Sequence, residues 1–367
     1  MGSIWKNKLG LSIFGQSHGA AIGMTLDGIP AGVRIDMDAL KAFITRRAPG
    51  KHPWSSTRRE DDEPEFISGL VNGVTCGAPI TAIIRNKNAN SADYKDLANI
   101  PRPSHADFAA YMKHGEFWDS AGGGHFSGRL TAALCIAGGI CLQILERRGI
   151  FIGAHICSVG SVKDSPPDVI DIDEKVLRRL SEMDFPVFNP ERAEGMKSEI
   201  EQALAEKDSV GGSIACYAIG VPPGLGEPMF GGIENRISQL IFAIPAVKGI
   251  EFGAGFEAAS MRGSEHNDPF YWDLSGAEPV VRTRTNNHGG ILGGITSGMP
   301  LTFRVAIKPT PSIGKEQESV YLDRVEGATL EIKGRHDHCI VPRAVPCVEA
   351  VAGIAVCDAM AEKGLKL

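Results

Sequence analysis

Apolar residues are spaced along this chain in two rhythms, and the breaks between them are rich in glycine and proline. Residues 36–47 carry Leu40, Phe43 and Ile44 on one helical face behind Asp36 as a cap, and the pattern stops at Ala48-Pro49-Gly50. A long apolar run from Leu130 to Leu145 sits inside a helix expected to begin at Ser127 and to end near Arg148, before Gly149. Its 16 residues include Thr131 and Gln143 and fall short of the roughly 20 that cross a bilayer, so it reads as a buried helix. Residues 173–205 are helical and charged, with Asn189 and Pro190 as a cap and first-turn pair. Further helices are expected at about 233–244, ending at Pro245, and at about 348–363.

Strand-like segments fall at 65–67, 79–84, 213–221, 247–252 and 301–307. Polar stretches fall at 51–64, 86–103 and 261–290, the last with little apolar periodicity, and a loop as long as 86–103 in a compact domain is usually functional or mobile. The run Arg58-Arg59-Glu60-Asp61-Asp62 reads as a solvated face. Strands and helices do not alternate in the rhythm of a doubly wound sheet, and no repeat or linker marks a boundary. The pattern therefore favours a single domain over residues 1–367, with antiparallel sheets packed on helices.

Composition narrows the classes. Hydrophobic content of 43% with 22% charged residues is ample for a core, and the net charge of −6 argues against a nucleic-acid surface. Eight cysteines show no CxxC and sit in apolar runs, as reduced core residues do. The start Met1-Gly2-Ser3-Ile4-Trp5-Lys6 lacks the features of a secretory signal, which makes a cytoplasmic location the expectation.

Four histidine-bearing segments carry the candidate chemistry: Gly15-Gln16-Ser17-His18-Gly19, Arg102-Pro103-Ser104-His105-Ala106-Asp107, Gly122-Gly123-Gly124-His125-Phe126-Ser127-Gly128-Arg129 and Gly334-Arg335-His336-Asp337-His338. Each sets a group that moves protons near neutral pH beside small residues that admit a ligand, and three of them add an arginine suited to phosphate or carboxylate. The glycines before Ser127 leave backbone N–H groups of a helix start open to an anion. The combination predicts acid–base work on an anionic substrate. Gly253-Ala254-Gly255-Phe256-Glu257-Ala258 matches a dinucleotide pattern, but the next residues, Ala259-Ser260-Met261-Arg262-Gly263-Ser264, do not sustain a helix. No P-loop occurs, and His336 and His338 have no nearby third ligand, so no metal is expected.

In this order the four segments resemble the chorismate synthase family. Arg46-Arg47-Ala48-Pro49-Gly50, Gly224-Leu225-Gly226-Glu227-Pro228, Ala246-Val247-Lys248-Gly249, Gly289 to Gly294, Lys308-Pro309-Thr310 and Arg343-Ala344-Val345-Pro346 extend the resemblance over nearly the whole chain. It implies an α+β fold, a layer of helices sandwiched between two antiparallel β-sheets, and a homotetramer. It also implies a lyase of the shikimate pathway that eliminates phosphate from 5-enolpyruvylshikimate 3-phosphate, with reduced FMN but no net redox change.

By the same resemblance His18 with Ser17 would serve the reduced flavin, His105 would assist the departing phosphate, and Asp337 would work with the flavin to remove the substrate proton. Arg47, Ser127, Gly128, Arg129 and Arg335 would hold the substrate. His125, Phe126, Ser127, Pro245, Ala246, Gly293, Lys308, Pro309, Thr310, Pro311, Ser312 and Arg335 would contact FMN. The chain departs from the family's usual residues at Gln16, Pro53, Ser104, His125-Phe126 and Pro245. Competing readings are an NAD(P)H-dependent flavin reductase and a non-catalytic binder of flavin or phosphometabolites. Since no nicotinamide motif survives, an external reductant for the flavin is expected.

Overall fold

A computed structural model describes residues 2–50, 62–86, 99–276, 278–332 and 336–367. The helices in chain order are α1 (Met37–Arg47), α2 (Asp107–His114), α3 (Thr131–Glu146), α4 (Glu174–Glu182), α5 (Pro190–Ala205), α6 (Ile233–Ile241), α7 (Gly263–His266) and α8 (Val341–Glu362). Two five-stranded antiparallel sheets flank the central ones. One runs Ile4–Lys6, Gly10–Gly15, Ala21–Asp27, Ile80–Arg85, Glu65–Ser68 across its width; the other runs Val247–Phe252, Leu301–Ile307, Gly212–Ile219, Phe151–Val159, Val162–Lys163.

The helical layer between them is built on α3 and α8, which pack against each other, with α1 and α6 alongside. α3 lies on the first sheet and α8 on the second. Leu11, Ile22, Met24, Leu26, Ile80, Ala82 and Ile84 point from the first sheet into this core, while Thr25 and Thr81 share a hydroxyl hydrogen bond on its other face. That alternation is the period of two that one buried face demands. The second sheet is covered twice. Ile214, Cys216 and Ala218 face the central helices, and Ala215 and Tyr217 meet Leu177 and Leu180 of α4 on the outside.

Asp36 caps α1, accepting from Ala39 N at 2.9 Å, and Asn189 caps α5 with Pro190 in its first turn. The buried helix expected from residue 127 divides: Ser127 caps a short 3-10 turn over Gly128–Leu130, and α3 begins at Thr131. The helical stretch expected over 173–205 is two helices, broken at 183–189. The last helix begins seven residues earlier than its apolar pattern indicates, with Pro342 in its first turn and Pro346 inside it. Polar residues 261–290 contain a hairpin, Phe270–Asp273 on Val280–Thr283. After the dinucleotide-like glycines only a 3-10 turn forms, Gly255–Ser260, so a pyrophosphate-binding helix start is absent there. Gly128–Glu146 and Val341–Glu362 are apolar and long enough to cross a membrane, but both are mostly buried as core helices. All eight cysteines are free thiols, six of them buried.

Candidate active site

A cleft of about 1490 Å³ opens at one end of the helical layer, and residues from widely separated parts of the chain line it. Of the sequence candidates, Arg47, His105, His125, Phe126, Ser127, Gly128, Arg129, Pro245, Ala246, Lys308, Thr310, Pro311, Ser312 and Asp337 line it. Ser17 and His18 stand next to its wall, where a Cβ at Gly122 would lie 2.2 Å from His18 Cε1. Pro309 is flanked by lining residues. Gly293 is not in the cleft: it turns a separate hairpin, Ile291–Leu292 on Ile295–Thr296, whose Gly294 carbonyl accepts from Ile233 N at 2.9 Å. Arg335 and Pro53 lie outside the described residues.

The glycine triplet determines how close His18 can come. Gly122, Gly123 and Gly124 all have positive φ, of 59°, 83° and 52°, which glycine adopts without a Cβ clash. Ser17 N donates to the Gly124 carbonyl at 3.1 Å, and the buried Ser17 hydroxyl meets His18 Nδ1 at 2.9 Å. Gly123 makes similar room beside His105, whose Cε1 would lie 3.1 Å from a Cβ there. Ser104 carries φ of 59°, in the left-handed region that glycine adopts most readily. His125 is tied down: its Nδ1 meets the Gly15 carbonyl at 2.7 Å and its Nε2 the Ser3 hydroxyl at 2.6 Å. Both ring nitrogens are thereby engaged with the N-terminal segment, at Ser3 and Gly15, which leaves neither free for a ligand.

Charge is concentrated here. Arg47 donates from Nε to Thr131 Oγ1 at 3.0 Å, from one terminal nitrogen to Asp62 at 2.5 Å and from the other to the Gly128 carbonyl at 3.2 Å. Arg129 donates to the other oxygen of Asp62. Burial alone would push the Asp62 carboxyl up, but Arg47 and then Arg129 hold it below the usual carboxylate range. Asp62 is thus no solvated residue, contrary to its place in a charge run: it is buried and clamps two arginines. Arg46, the neighbour of Arg47, turns away and makes a bidentate pair with buried Glu349 at 2.5 and 3.0 Å.

Asp337 pairs with Arg343, whose Nε also donates to the Arg47 carbonyl at 3.0 Å. The Asp337 carbonyl accepts from Thr310 Oγ1 at 2.8 Å, which ties the Lys308–Ser312 segment to the fourth histidine motif. Burial lowers the proton affinity of Lys308, and the nearby charge of Lys248 lowers it further. Lys308 Nζ donates to the Ser104 carbonyl at 2.5 Å. An ammonium so placed, half-desolvated beside a second cation, gains from an anion between the two. His336 also lines the cleft; burial, then the charge of Arg102, pushes its pKa down to about 4, so its ring is neutral at pH 7. Its Nε2 is buried with no partner among the described residues.

Sequence reasoning left Asp62, Arg102, Asp107, Thr131, His336 and Arg343 without roles. The signal for two of them was present: Arg102 and Asp107 flank His105 within one motif at spacings of three and two. Asp62 had none, because a buried clamp and a surface charge run look alike in a single sequence.

The model of the chorismate synthase family matches residues 9–361 of this chain. A chorismate synthase of Lancefieldella parvula is 43% identical over 98% of this chain and 96% of its own length. One of Korarchaeum cryptofilum is 43% identical over 97% of each. A solved structure described as a crystal structure of chorismate synthase superposes with a TM-score of 0.76 at 29% identity, covering 98% of this chain and 94% of its own.

Proposed function

The chain belongs to the chorismate synthase family, and we propose accordingly that it eliminates phosphate from 5-enolpyruvylshikimate 3-phosphate to give chorismate, with reduced FMN as an obligatory cofactor. The observation that carries this reading is one cleft in which His105 and Asp337 accompany Arg47, Arg129 and Lys308. A substrate with one phosphate and two carboxylates needs such cations, and an elimination needs a proton donor and a proton acceptor.

The residues present fit a flavin mononucleotide. The cleft is large, the glycine triplet presents backbone without side chains, the Lys308–Lys248 pair suits a phosphate, and the lone His336 Nε2 awaits a hydrogen-bond partner. Lys308 with Thr310 and Ser312 would hold the phosphate, and Phe126 and the Pro245-Ala246 backbone would border the ring. A reduced flavin supplies transient electron donation that weakens the allylic carbon–oxygen bond.

The protein's own part is positioning and proton traffic. Arg47 and Arg129, prealigned by Asp62, receive the anionic groups of the substrate, so little ordering remains to be done on binding. His105 gives its proton to the leaving phosphate oxygen as the bond breaks. Asp337, oriented by its ion pair with Arg343, accepts the proton lost from the ring carbon. One proton and one phosphate leave, one double bond forms, and no electrons are gained or lost overall. Assembly as a homotetramer and reduction of the flavin by an external donor complete the proposal; sedimentation equilibrium tests the first.

Anaerobic protein with dithionite-reduced FMN and the enolpyruvyl substrate should release chorismate and phosphate in equal amounts. NADPH oxidation without substrate would instead make it a flavin reductase, and flavin binding without product would make it a binding protein. His105→Ala and Asp337→Ala should each keep flavin affinity and lose about 10²-fold or more in kcat. Wild-type turnover in either variant removes that residue from the mechanism.

A further inference from the structure

His105 has a built partner to which the sequence reading assigned no role. Asp107 is buried, and its carboxylate is fully used: Oδ2 accepts from Arg102 N at 3.1 Å and Nε at 2.7 Å, and Oδ1 accepts from an Arg102 terminal nitrogen at 2.9 Å. The fourth acceptor position meets His105 Nδ1 at 2.5 Å, and the Arg102 nitrogen that donates to Oδ1 also lies 3.0 Å from Nδ1, so carboxylate and guanidinium both face that ring nitrogen and the shorter contact is the carboxylate's. The other terminal nitrogen of Arg102 donates to Ser312 Oγ at 3.2 Å, which fixes the guanidinium in turn. Two lone-pair atoms do not approach so closely without a proton between them, so either the carboxyl or the imidazole carries it. Burial would raise the Asp107 pKa, but the Arg102 hydrogen bonds, then that of His105, hold it far below the ordinary range; the carboxylate is ionised. The proton therefore sits on Nδ1.

We propose that Asp107 is a positioning residue: it holds the His105 ring with Nδ1–H turned inward, so that the Nε2 edge is the one presented at the cleft beside Gly123. A Cβ at Gly123 would lie 3.4 Å from that Nε2, and its absence keeps the approach open. The inference rests on the elimination reading for its consequence. The form that acts as the acid is the imidazolium, with a second proton on Nε2; that proton passes to the phosphate oxygen as the carbon–oxygen bond breaks, and the neutral Nδ1–H ring that remains is already the tautomer the carboxylate favours. The arrangement carries the logic of an Asp-backed imidazole, in which the carboxylate sets tautomer and orientation and takes no proton itself. Arg102 serves one step further out, by anchoring Asp107.

The test is Asp107→Asn in the full chain with 15N-labelled histidine. Arg102 donates twice to the Oδ2 position, so the amide oxygen will take that place and turn the NH2 group onto His105 Nδ1. Two-bond 1H–15N correlation should show Nδ1–H in the wild type and Nε2–H in the variant. Turnover with reduced FMN should fall on the order of 10²-fold in kcat with KM for the substrate unchanged. Should the single variant not fold with the buried Arg102 charge no longer balanced, Arg102→Met with Asp107→Leu removes both charges, and it should lose the fixed tautomer and the turnover together. A wild-type ring protonated at Nε2 alone, or a folded variant with wild-type kcat, overturns the proposal. An inactive wild type whose His105 is Nδ1–H overturns the elimination reading and leaves the positioning supported.

Discussion

Single buried residues away from the cleft set this chain's response to acid. His155 is fully buried between the Phe188 ring at 4.7 Å and the stacked Tyr217 ring at 5.7 Å, with Asp164 Oδ2 3.7 Å from its Nε2. Both ring nitrogens lack hydrogen-bond partners among the described residues. Burial pushes its pKa down from 6.5 to about 4, against the pull of Asp164. Between those values the unfolded chain binds a proton that the folded chain refuses. The contribution is therefore full above about pH 6.5 and is lost as pH falls toward 4, at most about 3 kcal/mol. In urea titrations across that range His155→Phe should lose markedly less stability than the wild type, and parallel curves would show that the ring does not set the acid limit. At this scale the sequence singled out residues that the structure brings to the cleft, His105 and Asp337, or beside it, His18, and it was mute where partners come from afar. Nothing near Asp62 in sequence says that Arg129 lies across from it.

Elements were legible where periodicity was not contested by other signals. α1 and the strand Leu301–Ile307 follow their apolar patterns to the residue or nearly so, because cap, turn and burial all agree there. The apolar pattern of α8 is cut short by its own prolines. Pro342 lies in the first turn, where a missing N–H costs little, and Pro346 would have bonded back to that same turn, so packing of the helix in the core outweighs local preference. The Phe270–Asp273 hairpin was missed because its strands are short and mostly exposed and lack a one-sided apolar rhythm. The central helix pair has its own requirement. A Cβ at Gly138 of α3 would sit 2.2 Å from Ala350 Cβ and 2.3 Å from its Cα on α8. In an exposed helix Gly→Ala stabilises by about 1 kcal/mol, but here the neighbour is backbone in the middle of the core. Gly138→Ala should therefore destabilise, by on the order of 2 kcal/mol by denaturant unfolding. A stabilised variant would mean that α3 and α8 slide apart freely.

For the whole molecule, charge is the organising fact. A chain with net charge −6 repels a phosphorylated ligand at long range, so attraction must come from the local field of the cleft, where Arg47, Arg102, Arg129, Lys248, Lys308 and Arg343 gather. The same cleft draws on every layer of the fold: Trp5 from the first sheet, Arg47 from α1, Leu134 from α3, Gln239 from α6, Val247 from the second sheet and Arg343 from α8. A ligand bridging those walls binds only the folded chain, and at a hundredfold excess over its Kd it stabilises the fold by about 2.7 kcal/mol. Saturating FMN should thus raise the thermal midpoint by a few degrees. Because Lys308 lines the cleft beside a second cation, Lys248, Lys308→Ala should remove most of that rise, and added salt should shrink it in the wild type. Arg178→Ala, on exposed α4 beside Glu174, should leave the rise unchanged. Equal rises in wild type, Lys308→Ala and Arg178→Ala would place the flavin phosphate elsewhere. A rise that Lys308→Ala abolishes but salt does not touch would mean that the lysine acts through its grip on the Ser104 carbonyl instead of through its charge.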